Sequence, residues 1–305
     1  MTNKNYNSIS ERIVEKDPSK KYKQISSYAK IYPDFIRIVK YKKPIITDGF
    51  ATISDGFANE EKEPERDSLE KSINRTKTKI SDLILCNKFT HFATFTFDPN
   101  NSLVNGEENR HNFQKMSRLL INWLNTEQIN HKRNHGEKFA YLIVPERHKN
   151  GAWHFHALLK NYKNETADFY SSKNPFITVS ELKNPKRPAY RKFLLRYDLG
   201  RSEVEPIRDQ TKMSSYIKKY ITKDLIVEKN VKRFWCSKGL ERPEIIENFI
   251  DERTEIPELF KVCSHDYHDI YEIPSFTQYF EFLGVAQEVH LHARKEKNKW
   301  FWANS

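Results

Sequence analysis

The chain has 305 residues, of which 52 are Lys or Arg and 41 are Asp or Glu, so its formal net charge is +11. With 37% hydrophobic and 13% aromatic residues, the composition argues against a disordered chain and allows one or two domains. No apolar run is long enough for a transmembrane helix, and the polar N-terminus predicts no secretory signal. Three widely spaced cysteines exclude a disulfide scaffold and a zinc ribbon and suit a reducing cytosol. The lack of a Gly-rich nucleotide loop argues against an ATP-driven motor.

Positive charge is concentrated rather than spread evenly along the chain. Residues 183–233 carry 15 Lys and Arg against six Asp and Glu, and residues 1–80 carry 17 against 12. A basic run can be an ordinary solvated face, but it can also release counterions from nucleic acid. The charge therefore permits nucleic acid or an anionic surface as a partner.

The first part of the chain predicts little regular structure. Residues 1–27 are polar and mixed in charge, which predicts a flexible or weakly helical segment. Tyr32–Tyr41 alternates enough to be a strand, whereas the Asp, Glu and Gly content of Lys42–Glu65 predicts a loop.

The rest of the chain predicts strands interleaved with helices. A helix is expected to begin at Asp67 or Ser68 as its cap and to end near Asn87. The further predicted strands are Phe89–Phe97, Tyr141–Pro145 and Trp153–Leu159, with Val231–Trp235 and Phe276–Phe282 as possible strands. The further predicted helices are Asn112–Glu127 and Lys212–Leu225, while Tyr190–Tyr197 is ambiguous. This order predicts an α+β fold with helices on one side of a mostly antiparallel sheet.

The strand Trp153–Leu159 contains two histidines, His154 and His156, separated by Phe155. Residues two apart on a strand point to the same face, so both imidazoles project together while Phe155 enters the apolar side. Two neutral imidazoles at this separation can chelate a divalent ion. On its own, such a pair is more often the polar face of a sheet.

Glu146 strengthens the metal hypothesis because it ends the strand that precedes His154 and His156. A hairpin loop of three or five residues would turn Glu146 toward the histidines, whereas a two-residue loop would turn it to the other face. Two imidazoles and one carboxylate leave coordination positions open, as a catalytic metal site requires. Since no thiolate is near, Mn²⁺ or Mg²⁺ is favoured over Zn²⁺.

Two other histidine groups compete for this role. His290 and His292 also flank an apolar residue and follow Glu288, but their sequence context is strongly charged. His265 and His268 are expected to be polar surface residues. The metal hypothesis therefore stays with the first histidine pair.

Tyr216 and Tyr220 lie four residues apart in a predicted helix, so they share one face at an angle of about 40°. Lys219 and Lys223 fall on the same flank, and the separate apolar stripe is formed by Ile217, Ile221 and Leu225. An amphipathic surface helix with half-buried tyrosines has the same pattern. The functional alternative is attack by a phenol, whose pKa of about 10 requires nearby cations at neutral pH. Attack on a DNA phosphodiester would conserve the bond energy in a phosphotyrosine ester.

The order of these segments resembles the three motifs of the HUH endonucleases that initiate rolling-circle replication. FATFTF in a strand, Glu146 with WHFHALLK in a hairpin, and YIKKYITKD in a helix follow one another. The segments VPERHKNGAWHFHALL and RFWCSKGLERP are similar to the phage-type initiators, the group of the filamentous-phage gene II protein and the microvirus A protein, and to plasmid relatives. The resemblance covers about residues 67–243. In a conjugative relaxase the tyrosine would come before the histidines.

The resemblance implies a role for each matching residue. The implied ligands of one divalent ion are His154, His156 and Glu146. The implied catalytic residues are Tyr216, Tyr220, Lys219 and Lys223. Thr94 and Thr96 match the first motif, which in the family is a central strand without catalytic groups. The resemblance also implies a five-stranded, mostly antiparallel sheet with flanking helices, similar to the ferredoxin and RNA-recognition folds.

By the same resemblance, the chain would be a replication initiator in three parts. Residues 1–66 would be an N-terminal extension for origin recognition, residues 67–243 the nicking domain, and residues 244–305 an accessory segment. In the cytoplasm of a bacterial host, it would nick one strand of a rolling-circle origin, stay attached to the 5′ end and later rejoin DNA ends. Its partners would be origin DNA, single-stranded at the nick, and the host helicase and polymerase, with no membrane.

Two alternatives stay open at this point. A non-catalytic protein that binds single-stranded or origin DNA would use the same sheet, with the histidines as surface residues. A HUH transposase shares the motif order but is usually a shorter chain. Tyr190, Phe193 and Tyr197 could stack on unpaired bases or pack in the core, and core packing is favoured for Phe193.

Overall fold

The computed structural model describes residues 23–47, 64–183, 191–221 and 232–274, and the chain divides into two compact units. One unit combines residues 1–53 with residues 242–305, and the other spans residues 54–241. Each unit contains an antiparallel sheet, which confirms the predicted α+β class.

The helices and strands of the described residues are numbered in chain order. The strands are β1 (Lys23–Ile31), β2 (Phe35–Thr47), β3 (His91–Phe95), β4 (Ala140–Arg147), β5 (Trp153–Lys160), β6 (Thr166–Asp168), β7 (Lys192–Leu194), β8 (Ser202–Pro206), β9 (Trp235–Cys236), β10 (Glu244–Glu247), β11 (Lys261–Ser264) and β12 (His268–Pro274). The α-helices are α1 (Pro64–Cys86), α2 (Phe113–His135), α3 (Val179–Lys183) and α4 (Gln210–Ile217). Single 3₁₀ turns cover Glu108–His111, Lys218–Tyr220 and Glu258–Phe260.

The first unit is a five-stranded sheet in the order β10-β1-β2-β12-β11, so strands from both ends of the chain share one sheet. The expected flexible segment is wrong for residues 23–27, which begin β1, and the expected loop is wrong for residues 42–47, which continue β2. The polar residues of β1 find partners far along the chain: Ser27 Oγ donates to Ile250 O at 2.9 Å. Local polarity therefore concealed a buried strand, because a buried hydroxyl is tolerated once it has a hydrogen-bond partner.

The second unit is a seven-stranded antiparallel sheet in the order β6-β7-β8-β3-β5-β4-β9. The predicted strands Phe89–Phe97, Tyr141–Pro145 and Trp153–Leu159 correspond to β3, β4 and β5 at its centre. The sheet exceeds the expected five strands because short edge strands of two or three residues extend it. The sequence also did not predict β8, whose segment SEVEP is rich in residues that are uncommon in strands.

The two long helices follow their predicted caps more closely than their predicted lengths. α1 ends at Cys86, directly before the predicted stop Asn87, although it begins at Pro64. At the start of α2, the Asn112 side chain accepts a hydrogen bond from Lys115 N, and the helix ends at Gly136 in the left-handed region. α2 therefore extends eight residues beyond its predicted end at Glu127. Its polar continuation is partly buried, which a pattern of apolar residues does not reveal.

Helices cover both faces of the second sheet rather than one. On one face, Phe113 of α2 packs against Phe155 and Trp153 of β5, with ring centroids 6.4 and 4.8 Å apart. On the other face, α4 and the turn that follows it pack against β3 and β5. Ser81 of α1 shares a buried hydrogen bond of 2.8 Å with Ser214 of α4. The face under α4 is the one to which His154 and His156 belong.

Other sequence predictions end differently or fall outside the described residues. The ambiguous segment Tyr190–Tyr197 contains the short strand β7, and the possible strand Val231–Trp235 appears only as β9. The possible strand Phe276–Phe282 lies outside the described residues. Among the helices that the structure describes, none has the length and apolar character needed to cross a membrane.

Candidate active site

The β4–β5 hairpin brings Glu146 opposite His154. Five residues, 148–152, connect the two strands, which is one of the two loop lengths that the sequence analysis requires. Glu146 pairs with His154 and Val144 pairs with His156, so all these side chains share one face. Phe155 enters the opposite face and is fully buried, as strand alternation predicts.

Glu146 and His156 bond each other directly. His156 Nε2 lies 2.7 Å from Glu146 Oε2, and His156 Nδ1 lies 3.2 Å from Thr94 Oγ1. The hydrogen bond from His156 lowers the pKa of Glu146, although partial burial opposes this effect. Because an ionised carboxylate only accepts hydrogen bonds, His156 Nε2 carries the proton in this arrangement.

The His154 ring stacks on His148 from the hairpin loop, with centroids 4.9 Å apart and an interplanar angle of 18°. Burial, reinforced by the charge of nearby His148, lowers the pKa of His154 to about 4. His154 is therefore neutral at pH 7 and has a lone pair available, as a metal ligand must.

The donor set suits a divalent ion, but the side chains are arranged for hydrogen bonding. In residues 23–47, 64–183, 191–221 and 232–274, no group of three or more His, Cys, Asp or Glu is placed to hold a metal. Glu146 and His156 instead share a proton. A metal bound by these two residues and His154 would therefore take the place of that proton, so the predicted metal site stays a prediction.

The predicted tyrosine helix consists of α4 and the 3₁₀ turn Lys218–Tyr220. Asp209 caps α4 by accepting a hydrogen bond from Lys212 N. Ile217 and Ile221 are buried in the core, as the predicted apolar stripe requires. Residues 222–225, which include Lys223 and Leu225 of the prediction, lie outside the described residues.

Tyr216 and Tyr220 lie beside the histidine strand. The Tyr220 ring stacks on His156 with centroids 3.8 Å apart, and the Tyr220 hydroxyl donates to the Tyr216 hydroxyl at 2.7 Å. Burial, followed by the hydrogen bond to Tyr216, raises the pKa of Tyr220. Tyr216 is 39% exposed, and the ammonium group of Lys219 lies 5.3 Å from its ring centroid. The structure thus brings together six of the seven predicted site residues.

Sequence reasoning missed three contributors to this arrangement. Phe92 stacks on His156 at 5.6 Å and meets the edge of Tyr216 at 5.5 Å, and Thr94 contacts the same histidine. His148 was treated only as part of the hairpin loop. Alternation along FATFTF indicated that Phe92 and Thr94 share a face, but it could not indicate which strand lies next to them.

Other candidate residues have different surroundings. Phe193 is buried, as expected, and stacking on bases is wrong for Tyr197, which is also buried and donates to Thr96 O at 3.0 Å. His265 and His268 belong to the β11–β12 hairpin of the other unit. The remaining candidates, Tyr190, Glu288, His290 and His292, lie outside the described residues.

A comparison with protein-family models finds one match with this region. The family of replication-associated proteins named for ORF2 and the gene II protein matches residues 90–225, a range that begins at β3 and includes the histidine pair and both tyrosines. This match is consistent with a rolling-circle replication initiator. Neither the curated proteins nor the solved structures include a match to the chain.

Proposed function

We propose that the chain initiates rolling-circle replication by nicking one DNA strand through a tyrosine. The observation that carries the proposal is the contact between Tyr220 and His156, whose ring centroids lie 3.8 Å apart. Two motifs about 60 residues apart in sequence thereby share one site. The family match over residues 90–225 supports the same class of protein.

The reaction is a transesterification. A tyrosine oxygen bonds to the scissile phosphorus while the bond between phosphorus and the 3′ oxygen breaks. The phenol loses its proton and the departing 3′ oxygen gains one, so the products are a 5′-phosphotyrosine ester and a free 3′-OH. The ester retains the energy of the broken phosphodiester, and attack by a 3′-OH later rejoins the ends without ATP.

The described residues provide groups for several parts of this reaction. The Lys219 ammonium favours the phenolate form of Tyr216, and the Tyr220 hydroxyl can donate to the same phenolate oxygen. Lys223 would add a second cation. His154, His156 and Glu146 would hold one Mn²⁺ or Mg²⁺ ion. When bound, this ion would polarise the scissile phosphate and stabilise the developing charge.

The partners follow from the chemistry. The substrate is origin DNA, single-stranded at the nick so that the phosphate reaches the tyrosines. The basic stretch 183–233 would contact the phosphates. The free 3′-OH would prime a host polymerase, and a host helicase would separate the strands, since the chain has no nucleotide-binding loop.

The test is covalent labelling of the full chain. Single-stranded oligonucleotides tiled across the replicon that encodes the chain are incubated with protein and Mn²⁺, with and without EDTA. The expected product is a protein–DNA adduct that survives denaturing electrophoresis, requires the metal and maps to Tyr216 or Tyr220 by peptide mass spectrometry. Binding of the oligonucleotides without an adduct, across several metals, would instead support the non-catalytic DNA-binding alternative.

A further inference from the structure

We infer that Thr94 is a positioning residue that orients His156 for metal binding, an inference that rests on the proposed function. Thr94 on β3 is the direct cross-strand partner of His156 on β5, and its hydroxyl lies 3.2 Å from His156 Nδ1. The two faces of the ring meet aromatic rings, Phe92 at 5.6 Å and Tyr220 at 3.8 Å. His156 is 6% exposed, so the hydroxyl sets the ring orientation within a nearly closed slot.

A hydroxyl suits this position because it both donates and accepts hydrogen bonds. While Nε2 donates to Glu146, the neutral ring accepts at Nδ1, and Thr94 must donate. When Nε2 is a metal ligand, Nδ1 carries the proton, and Thr94 must accept. The imidazole is neutral and carries one proton in both states. Thr94 therefore partners the ring with and without metal, whereas a valine of similar shape does neither.

Thr96 provides a matched control two residues further along the same segment. Its hydroxyl donates to Arg201 O at 2.9 Å and has a backbone partner instead of a histidine. Substituting either threonine by valine removes one hydroxyl with nearly the same change in volume. Only the change at Thr94 removes a partner of His156.

The experiment measures Mn²⁺ binding to the full chain without DNA, by calorimetry and by the EPR signal of free Mn²⁺. Removal of a group that orients a metal-binding histidine typically weakens metal affinity about 10- to 100-fold. Thr94→Val should therefore bind Mn²⁺ at least about tenfold more weakly, while Thr94→Ser should bind like the wild type. Thr96→Val should also bind like the wild type, and His156→Ala should lose the site.

A second measurement does not depend on metal or activity. In metal-free protein, the ¹⁵N signals of the His156 ring report which nitrogen carries the proton and whether Nδ1 accepts a hydrogen bond. Thr94→Val should shift the Nδ1 signal, whereas Thr96→Val should leave it in place. This readout also shows whether the valine variant keeps the fold around the ring.

The outcomes separate the two proposals. If His156→Ala loses Mn²⁺ but Thr94→Val binds it like the wild type with an unshifted ring signal, the role of Thr94 is overturned and the metal site stands. If Thr94→Ser is as weak as Thr94→Val, the hydroxyl is not the active feature and the role is again overturned. If the wild type binds no Mn²⁺, the proposed metal site fails, and the role of Thr94 fails with it.

Discussion

Tyr216 and Tyr220 are chemically identical but have different surroundings. Tyr220 is half-buried, stacks on His156 and donates its proton to the oxygen of Tyr216. Tyr216 accepts that hydrogen bond, has Lys219 above its ring and is the more exposed of the two. A phenolate on Tyr216 is thus stabilised by a donor, whereas one on Tyr220 would forfeit the hydrogen bond it makes. Tyr216 is therefore the expected first nucleophile.

Single substitutions test this order. Tyr216→Phe should abolish the adduct formed from uncleaved DNA. Tyr220→Phe should keep the adduct but slow its formation about tenfold or more, since a hydrogen bond to a charged group contributes about 1.5 kcal/mol or more. Trypsin cleaves after Lys218 and Lys219, so mass spectrometry of the digest separates the two tyrosines. Tyr170→Phe is the control, and an undiminished adduct on Tyr220 in Tyr216→Phe would contradict the order.

At the scale of elements, a close backbone approach joins the end of β3 to the segment before β8. A Cβ atom on Gly200 would lie 2.4 Å from Thr96 O and 2.6 Å from Asp98 N. Both neighbours are backbone atoms of a segment held by hydrogen bonds from Thr96 N to Arg201 O and from Asp98 N to Leu199 O. This segment cannot move away without losing those bonds.

Gly200→Ala should therefore lower the free energy of unfolding by about 3 kcal/mol, the upper range for overpacking. Gly239→Ala is the control, because Gly239 has a positive φ but open space around its Cβ position. It should cost only the backbone strain, about 1 kcal/mol. Urea unfolding measures both. Equal losses would show that the segment at Thr96 shifts to admit the methyl group.

The short helix α3 has a capping box that makes its stability depend on pH. Glu181 accepts from Thr178 N at 3.0 Å and from Arg201 Nη1 at 3.0 Å, while Thr178 Oγ1 accepts from Glu181 N. The bond from Thr178 N, followed by that from Arg201, lowers the pKa of Glu181 to about 2. An unfolded Glu has a pKa of about 4.3. The unfolded chain therefore binds more protons between these values, and the contribution to stability falls as the pH drops through them.

Glu181→Gln should accordingly destabilise the protein more at pH 6 than at pH 3. The measurement is the difference in free energy of unfolding between wild type and variant at several pH values. Glu165→Gln, at an exposed position, is the control. A difference for Glu181→Gln that does not change with pH would show that Arg201 and Thr178 do not hold the ionised form.

At the scale of the whole molecule, the two chain ends depend on each other. β1 pairs with β10 and β2 pairs with β12, so both strands of the N-terminal hairpin have C-terminal neighbours. Asn248 adds side-chain bonds to Ser26 N and Gln24 O. A two-stranded hairpin by itself is marginally stable in water.

A chain truncated after residue 241 tests this dependence. Its residues 23–47 should lose most of their protection from amide hydrogen exchange, because β1 and β2 lose their outer partners. The central strands β3, β4 and β5 should stay protected, since they pair within residues 54–241. Full protection of residues 23–47 in the truncated chain would show that the hairpin is stable without β10 and β12.

The sequence alone determined the features that depend on neighbouring residues. Strand alternation placed His154 and His156 on one face, helix geometry separated Tyr216 and Tyr220 from the buried isoleucines, and cap residues marked the ends of helices at Asn87 and Asn112. These features follow from backbone periods of two and 3.6 residues and from local hydrogen bonding. They need no knowledge of the rest of the chain.

The tertiary structure decided what lies opposite each residue. It paired Thr94 with His156, stacked Tyr220 on the same ring, and joined the chain ends in one sheet around polar strands such as β1. These contacts link positions far apart in sequence, and their register depends on how whole faces pack. Short strands with polar residues, such as β8, carry too little local signal, because their stability comes from their neighbours.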